Sequence, residues 1–166
     1  DSAVRNWYND MLSRATIEKR IESGGVKVGQ PAPDFVLNDL SGKPVRLSDY
    51  KGKAVLVNFF ATWCDPCRAE MPDIEAVWQA YQERGLVVLA VNLTNQDSVG
   101  DVAGFVKDMG LTFPVVLDER GSVTSLYRVV PIPTSFFIDR NGVVVRAEIR
   151  ALSRQTIEQR IAAILP

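Results

Sequence analysis

The chain has no histidine and only two cysteines in 166 residues. A structural zinc site takes four Cys or His ligands, so that shortage excludes the usual zinc folds, and no metal is expected. Charge of one sign is also missing. Lys and Arg total 19 against 20 Asp and Glu, a net charge of −1, which gives no electrostatic reason to expect nucleic acid or an anionic lipid surface as partner. No run approaches the length of apolar residues that a membrane span requires. Internal repeats and low-complexity tracts are absent too. The first residue is Asp1 rather than Met, so a signal peptide or membrane anchor is expected to have preceded it.

What remains is an ordinary globular composition, 46% hydrophobic and 23% charged, enough for one domain with a sizeable core. Both cysteines fall in one stretch, Phe59-Phe60-Ala61-Thr62-Trp63-Cys64-Asp65-Pro66-Cys67. The apolar run Ala54 to Phe60 before it reads as a buried strand. After it, Met71, Ile74, Val77, Trp78 and Tyr81 recur at helical spacing, and Gly85 is a C-cap candidate. Cys64 therefore stands where a strand gives way to a helix, and Pro66 suits the first turn, where its missing N–H has no partner to lose.

A helix N-terminus favours negative charge and so stabilises a Cys64 thiolate. Thiols in Cys-X-X-Cys motifs ionise at roughly pH 3.5–7.5, against about 8.5 for free cysteine. Cys67, one turn later, is placed to reach the first sulfur and to be the more buried of the two. The pair can cycle between dithiol and disulfide: Cys64 attacks a substrate disulfide, and Cys67 resolves the mixed disulfide. Half a zinc site would need ligands the chain lacks. A purely structural bridge would close too small a ring to stabilise much.

Taken in order, Val4, Trp7, Tyr8, Met11, Leu12 and Ala15 follow a helical stripe from Ser2 to about Glu22, ended by Ser23-Gly24-Gly25. This amphipathic helix is expected to pack on the domain, with a dimer contact or a spacer to a lost anchor as alternatives. Residues 1–25 thus form an extension and 26–166 the domain. Phe35-Val36-Leu37 and Val45-Arg46-Leu47 flank Ser41-Gly42-Lys43 as a β-hairpin. Leu86 to Leu93 reads as a second buried strand. Asp97 or Ser98 caps a helix to about Met109 whose apolar face is Val99, Val102, Phe105 and Val106. Pro114 to Asp118 is a short strand, and Ser122 to Tyr127 a brief helix. Thr134 to Asp139 and Val143 to Ile149 form a hairpin about Asp139-Arg140-Asn141-Gly142. Ser153 caps a last helix whose inner face is Ile157, Ile161, Ala162, Ile164 and Leu165. The sequon Asn92-Leu93-Thr94 is discounted because it ends a buried strand.

Trp63-Cys64-Asp65-Pro66-Cys67 with a distant Ile132-Pro133-Thr134 resembles the thioredoxin superfamily. Pro31-Ala32-Pro33-Asp34-Phe35, Leu47-Ser48-Asp49, Val57 to Trp63 and Pro133 to Asp139 narrow the resemblance to its extracytoplasmic, membrane-tethered ResA/TlpA branch, from about Val28 to Pro166. The resemblance implies a central mixed sheet flanked by helices, a cis peptide bond at Pro133 facing the cysteines, and no cofactor. It implies that Ile132, before that proline, pairs with an extended substrate segment, with Trp63, Asp65, Pro66, Pro133 and Thr134 around it. Thioredoxin carries a buried aspartate six residues ahead of its first cysteine; this chain has Asn58. The ResA-like branch places a glutamate three residues after the second cysteine, and Glu70 stands there, expected to exchange a proton with Cys67. Asp65, about 6 Å from the Cys64 sulfur at an effective dielectric near 40, opposes the thiolate by roughly 1.4 kcal/mol, a tilt toward reductant.

The expected activity is a thiol–disulfide oxidoreductase reducing protein disulfides, such as the haem-attachment cysteines of apocytochrome c. A membrane thiol carrier of the CcdA or DsbD type is the implied electron donor. Reduction of spore or cell-envelope proteins uses the same parts. An oxidant or isomerase, a thiol peroxidase and a redox-inactive binding module are the alternatives. The region from Val28 to Gly52 also resembles a peroxiredoxin start. Against that reading, Val57 and Ala61 occupy the places of the proline and threonine in the peroxiredoxin nucleophile motif.

Overall fold

The computed structural model describes residues 25–166; the expected amphipathic helix over 2–22 lies outside the described residues. The two continuous apolar runs form the central strands, β3 (Ala54–Phe60) and β4 (Leu86–Asn92), and every residue of both is buried. That is the pattern of strands covered on both faces. They pair in parallel, Ala54 opposite Leu86 through Phe60 opposite Asn92. On the far side of β3, β6 (Thr134–Ile138) runs antiparallel, followed by β7 (Val144–Glu148). On the other flank β5 (Val115–Leu117) lies parallel to β4 and carries the N-terminal hairpin, β1 (Val36–Asp39) and β2 (Pro44–Arg46). The seven strands run β2-β1-β5-β4-β3-β6-β7, the mixed sheet that the resemblance implied.

Helices cover both faces. Helix α1 (Asp65–Tyr81) buries Cys67, Glu70, Met71, Ile74 and Val77. Together with Val102 and Phe105 of α2 (Val99–Met109) and Ile157 and Ile161 of α4 (Arg154–Ala162), its apolar members cover Leu56, Phe60, Val88, Ala90 and Phe137. The opposite face buries Val55, Val57, Phe59, Leu89, Val91 and Phe136 beneath Phe35, Tyr127 and Val123, the last from α3 (Ser122–Leu126). Strand alternation thus puts Asn58 on the same face as Leu56 and Phe60, under α1.

Some expectations shift locally. Val99, the first residue of α2, is 43% exposed, and Ala162, in the last turn of α4, is exposed as well. Leu47 turns into a short 3-10 segment instead of extending β2. Gly85, at φ 93°, ends a 3-10 turn (Gln82–Arg84) that follows α1. Pro72 lies inside α1 on its exposed side, so the Arg68 carbonyl it leaves without an amide donor can turn to water. Ser98 caps α2 by accepting from the Asp101 amide, and Ser153 caps α4 by accepting from Thr156. Asn92 is fully buried and Thr94 nearly so, which bears out discounting the sequon.

Candidate functional site

Cys64 is the N-cap residue of α1, and the Cys67 amide donates to its Sγ at 3.3 Å. A donor aimed at this sulfur favours its anionic form. The two cysteines are joined by a disulfide, with Cα atoms 5.2 Å apart. Cys64 is 6% exposed and Cys67 fully buried, so only the first sulfur can meet a large substrate. Across from it, the Ile132–Pro133 peptide bond is cis, and the Ile132 carbonyl oxygen is 3.9 Å from Cys64 Sγ. Asp65 and Pro66 are exposed on the first turn beside the cysteines. Pro133 is buried, and Thr134 is turned inward, its hydroxyl donating to the Pro131 carbonyl at 2.7 Å.

The segment before Cys64 is held from across the sheet. The Thr62 amide and hydroxyl both donate to the Asp97 carboxylate at 2.7 Å. Asn92 Nδ2 donates to the same carboxylate at 3.0 Å and the Ser98 amide at 2.9 Å. Burial pushes the Asp97 carboxyl up, but these donors outweigh it and hold it below the usual carboxylate range. Trp63 is 56% exposed, yet its indole N–H donates to the Gln96 carbonyl at 2.8 Å. One loop, between β4 and α2, therefore positions both residues ahead of the nucleophile.

Behind the cysteines lies a buried polar chain. Glu70 sits on the inward stripe of α1, one turn beyond Cys67, and is 1% exposed. Asn58 Nδ2 donates to Glu70 Oε1 at 2.6 Å and to Ser135 Oγ at 2.9 Å. The Leu152 amide, in the loop before α4, donates to Glu70 Oε2 at 2.9 Å. Asn58 and Ser135 face each other directly in the β3–β6 ladder. Desolvation raises the Glu70 carboxyl from 4.5 to about 7, against the lowering effect of the Leu152 and Asn58 donors, with a small upward push from Asp73. A carboxyl balanced near neutrality can take a proton and return it within a cycle.

Sequence reasoning singled out the cysteines, Ile132, Pro133 and Glu70. It assigned no part to Ser135, Leu152 or Thr62, read Asp97 only as a possible helix cap, and noted Asn58 only as standing where thioredoxin carries an aspartate. A polar residue at inward parity in an otherwise apolar strand was the available signal for Asn58 and Ser135. The contacts of Leu152 and Asp97 join residues 82 and 35 positions apart and leave no local mark. Among the described residues no cluster of acidic side chains or cysteines could hold a metal.

A strand–helix junction presenting a cysteine pair to a cis-proline loop on a mixed sheet defines a thiol–disulfide exchange protein of thioredoxin-like fold. The comparisons agree. The family model described as AhpC/TSA matches residues 28–147. The thiol-disulfide oxidoreductase ResA of Geobacillus thermodenitrificans is 43% identical over 145 residues, covering 87% of this chain and 82% of that protein. Among solved structures, a Chlorobium tepidum protein assigned as the thiol:disulfide interchange protein DsbE superposes with a TM-score of 0.79 at 37% identity, covering 86% of this chain and all of the other. A secreted Mycobacterium tuberculosis disulfide oxidoreductase, homologous to Escherichia coli DsbE, gives a TM-score of 0.71 at 26% identity over 78% of this chain and 95% of that one. The chain belongs to the AhpC/TSA family of thioredoxin-like proteins, among thiol–disulfide oxidoreductases of the ResA type.

Proposed function

We propose that this oxidoreductase works outside the cytoplasm as a reductase of protein disulfides, with the haem-attachment cysteines of apocytochrome c as its substrate. In the reduced enzyme the Cys64 thiolate attacks one substrate sulfur, and the other leaves as a thiolate and takes up a proton. Cys67 gives its proton to the Glu70 carboxylate and attacks Cys64 Sγ, freeing the second substrate thiolate. The enzyme is left as the Cys64–Cys67 disulfide, and two electrons have passed to substrate. A membrane thiol carrier of the CcdA or DsbD type then restores the dithiol, and membrane tethering keeps the domain beside it. Ile132 offers its backbone to the substrate strand across the cis-proline loop. Trp63, Asp65 and Pro66 form the exposed rim, and Thr134 serves through its main chain.

The observation that carries the reductase direction is the charge around the pair. Two carboxyl groups flank the cysteines, Asp65 at the first turn and Glu70 behind, and the chain has no histidine to balance them. Negative neighbours disfavour thiolates, which makes the dithiol the less stable partner and the protein a donor of electrons. Val57 and Ala61, within β3 and just after it, keep the nucleophile motif away from the peroxidase pattern. The test is the reduction potential of the pair at pH 7 in a glutathione or dithiothreitol series. A value at or below about −230 mV supports the reductase, whereas one above about −180 mV refutes it in favour of an oxidant or isomerase. Reduction of spore or envelope proteins would be separated by comparing turnover on an apocytochrome disulfide with turnover on those substrates.

A further inference from the structure

We propose that the free end of β7 is a docking surface for an extended segment of the substrate protein in which apolar residues alternate with Asp or Glu. The inference deepens the exchange function above and rests on it for the identity of the partner. Glu148, the last residue of β7, is 6% exposed. Its Oε1 accepts from Arg146 Nε and Arg160 Nε, both at 2.9 Å, and its Oε2 accepts from Arg150 Nε at 3.4 Å. One carboxylate against three guanidiniums leaves two positive charges in excess, on a chain whose overall charge is −1. Each arginine spends only Nε. The Nη groups of Arg146 and Arg150 have no partner among the described residues, and these side chains are 50% and 62% exposed. A guanidinium fork with unspent N–H donors is suited to carboxylates.

The backbone offers a matching edge. β7 is the outermost strand of its flank, and only its beginning is covered: the Gly29 amide donates to the Val144 carbonyl at 2.8 Å, and the Val144 amide to Gln30 at 3.0 Å. Beyond Val144 no described strand pairs with the outer edge. On the face opposite Arg146 and Arg150, Ala147 and Ile149 line a groove of about 180 Å³ with Val129, Val130 and Pro131, and Arg128 lines it too. Val130 is 87% and Ile149 64% exposed. The groove runs into the loop whose Ile132 carbonyl lies 3.9 Å from Cys64 Sγ. An extended chain sends alternate side chains to opposite faces, so a segment laid along this edge meets apolar surface with one set and guanidiniums with the other.

The test uses labelled peptides of equal length carrying an internal disulfide, with valine alternating with Glu, Ser or Lys. Binding is read by fluorescence anisotropy on the C64S/C67S protein, which forms no covalent adduct. The Glu peptide is expected to bind about tenfold more tightly than the Ser peptide at low salt, and to lose that advantage at about 0.5 M salt. In R146Q/R150Q, where Arg160 still partners Glu148, the advantage should vanish at every salt concentration. Equal affinity for the three peptides overturns the proposal. So does a preference that survives in R146Q/R150Q, since the arginines would then act only as a clamp on Glu148. Should that variant fail to fold, a salt-insensitive affinity in the parent is equally decisive against docking. Turnover of the Ser peptide by the protein with both cysteines is measured separately: its absence refutes the reductase reading and leaves the charge preference to stand or fall alone.

Discussion

Replacing Glu70 by Gln should make the oxidised protein respond differently to pH, and the size follows from the burial of that carboxyl. Its folded-state value of about 7 lies above the ordinary 4.5, with desolvation as the main cause. The fold therefore prefers the protonated group. The stability that this preference contributes is complete below about pH 4.5 and lost as pH rises through about 7. A shift of this size corresponds to about 3 kcal/mol between the two limits. A glutamine side chain cannot ionise, so E70Q removes this dependence. Its amide also meets either the Asn58 or the Leu152 donor with another donor, which adds a constant cost. The measured quantity is thus the change in the difference between the two proteins. Urea unfolding at pH 5, 6, 7 and 8, with the disulfide intact, should show wild type losing about 2.5 kcal/mol relative to E70Q between the ends of the series. Parallel stability curves would refute the reasoning, because they would mean that Glu70 keeps an ordinary proton affinity in the folded chain.

Substituting Cys67 by serine should leave Cys64 able to attack but nothing to resolve the product, so a one-to-one mixed disulfide with a protein substrate should accumulate and be seen by mass spectrometry; a freely turning-over C67S enzyme would contradict the assigned order of attack. Removing the Asp97 carboxylate in D97A strips four donors of their acceptor and should cost about 2 kcal/mol in urea unfolding, with a change in Trp63 fluorescence because the Gln96 carbonyl that holds its indole is on the same loop; an unchanged midpoint would dissolve the clamp. The Tyr127 hydroxyl donates to the Pro33 carbonyl at 2.6 Å while its ring packs on Phe35, Phe59 and Phe136. Y127F keeps the packing and should lose about 1 kcal/mol. That loss should be constant across the neutral range, because burial, first, and the Asp34 carboxylate raise the phenol's proton affinity; a pH-dependent loss would count against this account.

The nucleophilic half of the site was readable because it is local. Cys64, Asp65, Pro66 and Cys67 announce a helix start in consecutive residues, and the apolar run from Ala54 to Phe60 announces the strand that delivers them. The hairpins were legible for the same reason: Asp39 closes one turn by accepting from the Ser41 and Lys43 amides, and Asp139 closes the other by accepting from Asn141 and Val143. Pro133 and Glu70 were singled out through the family pattern, and burial then gave Glu70 its chemistry. The Thr62–Asp97 clamp and the Leu152 donor were not legible, because each is created by tertiary packing between elements whose own sequences would serve equally well without it. The exposure of Val99 was misread for a related reason: periodicity says which face a residue is on and not whether the end of the helix is covered.

This division also bears on what the fold must hold constant. Cys64 needs the junction of β3 and α1 and the loop after β4 that holds Thr62 and Trp63. Glu70 needs α1 to present its inward stripe, β3 to turn Asn58 toward it, β6 to set Ser135 opposite Asn58, and the loop before α4 to bring in the Leu152 amide. A slip of one residue between β3 and β6 would send these polar side chains to opposite faces of the sheet and leave Glu70 buried with one donor fewer. The carboxylate would then be harder to ionise, and in the mechanism proposed above Cys67 would lose its proton acceptor at neutral pH. Register, set by the buried runs on either side of Asn58 and by Phe136, Phe137 and Ile138 beyond Ser135, is therefore a condition for the proton transfer proposed for the resolving half of the reaction. In that mechanism the apolar core contributes to proton transfer by fixing the register, although none of its side chains carries the proton.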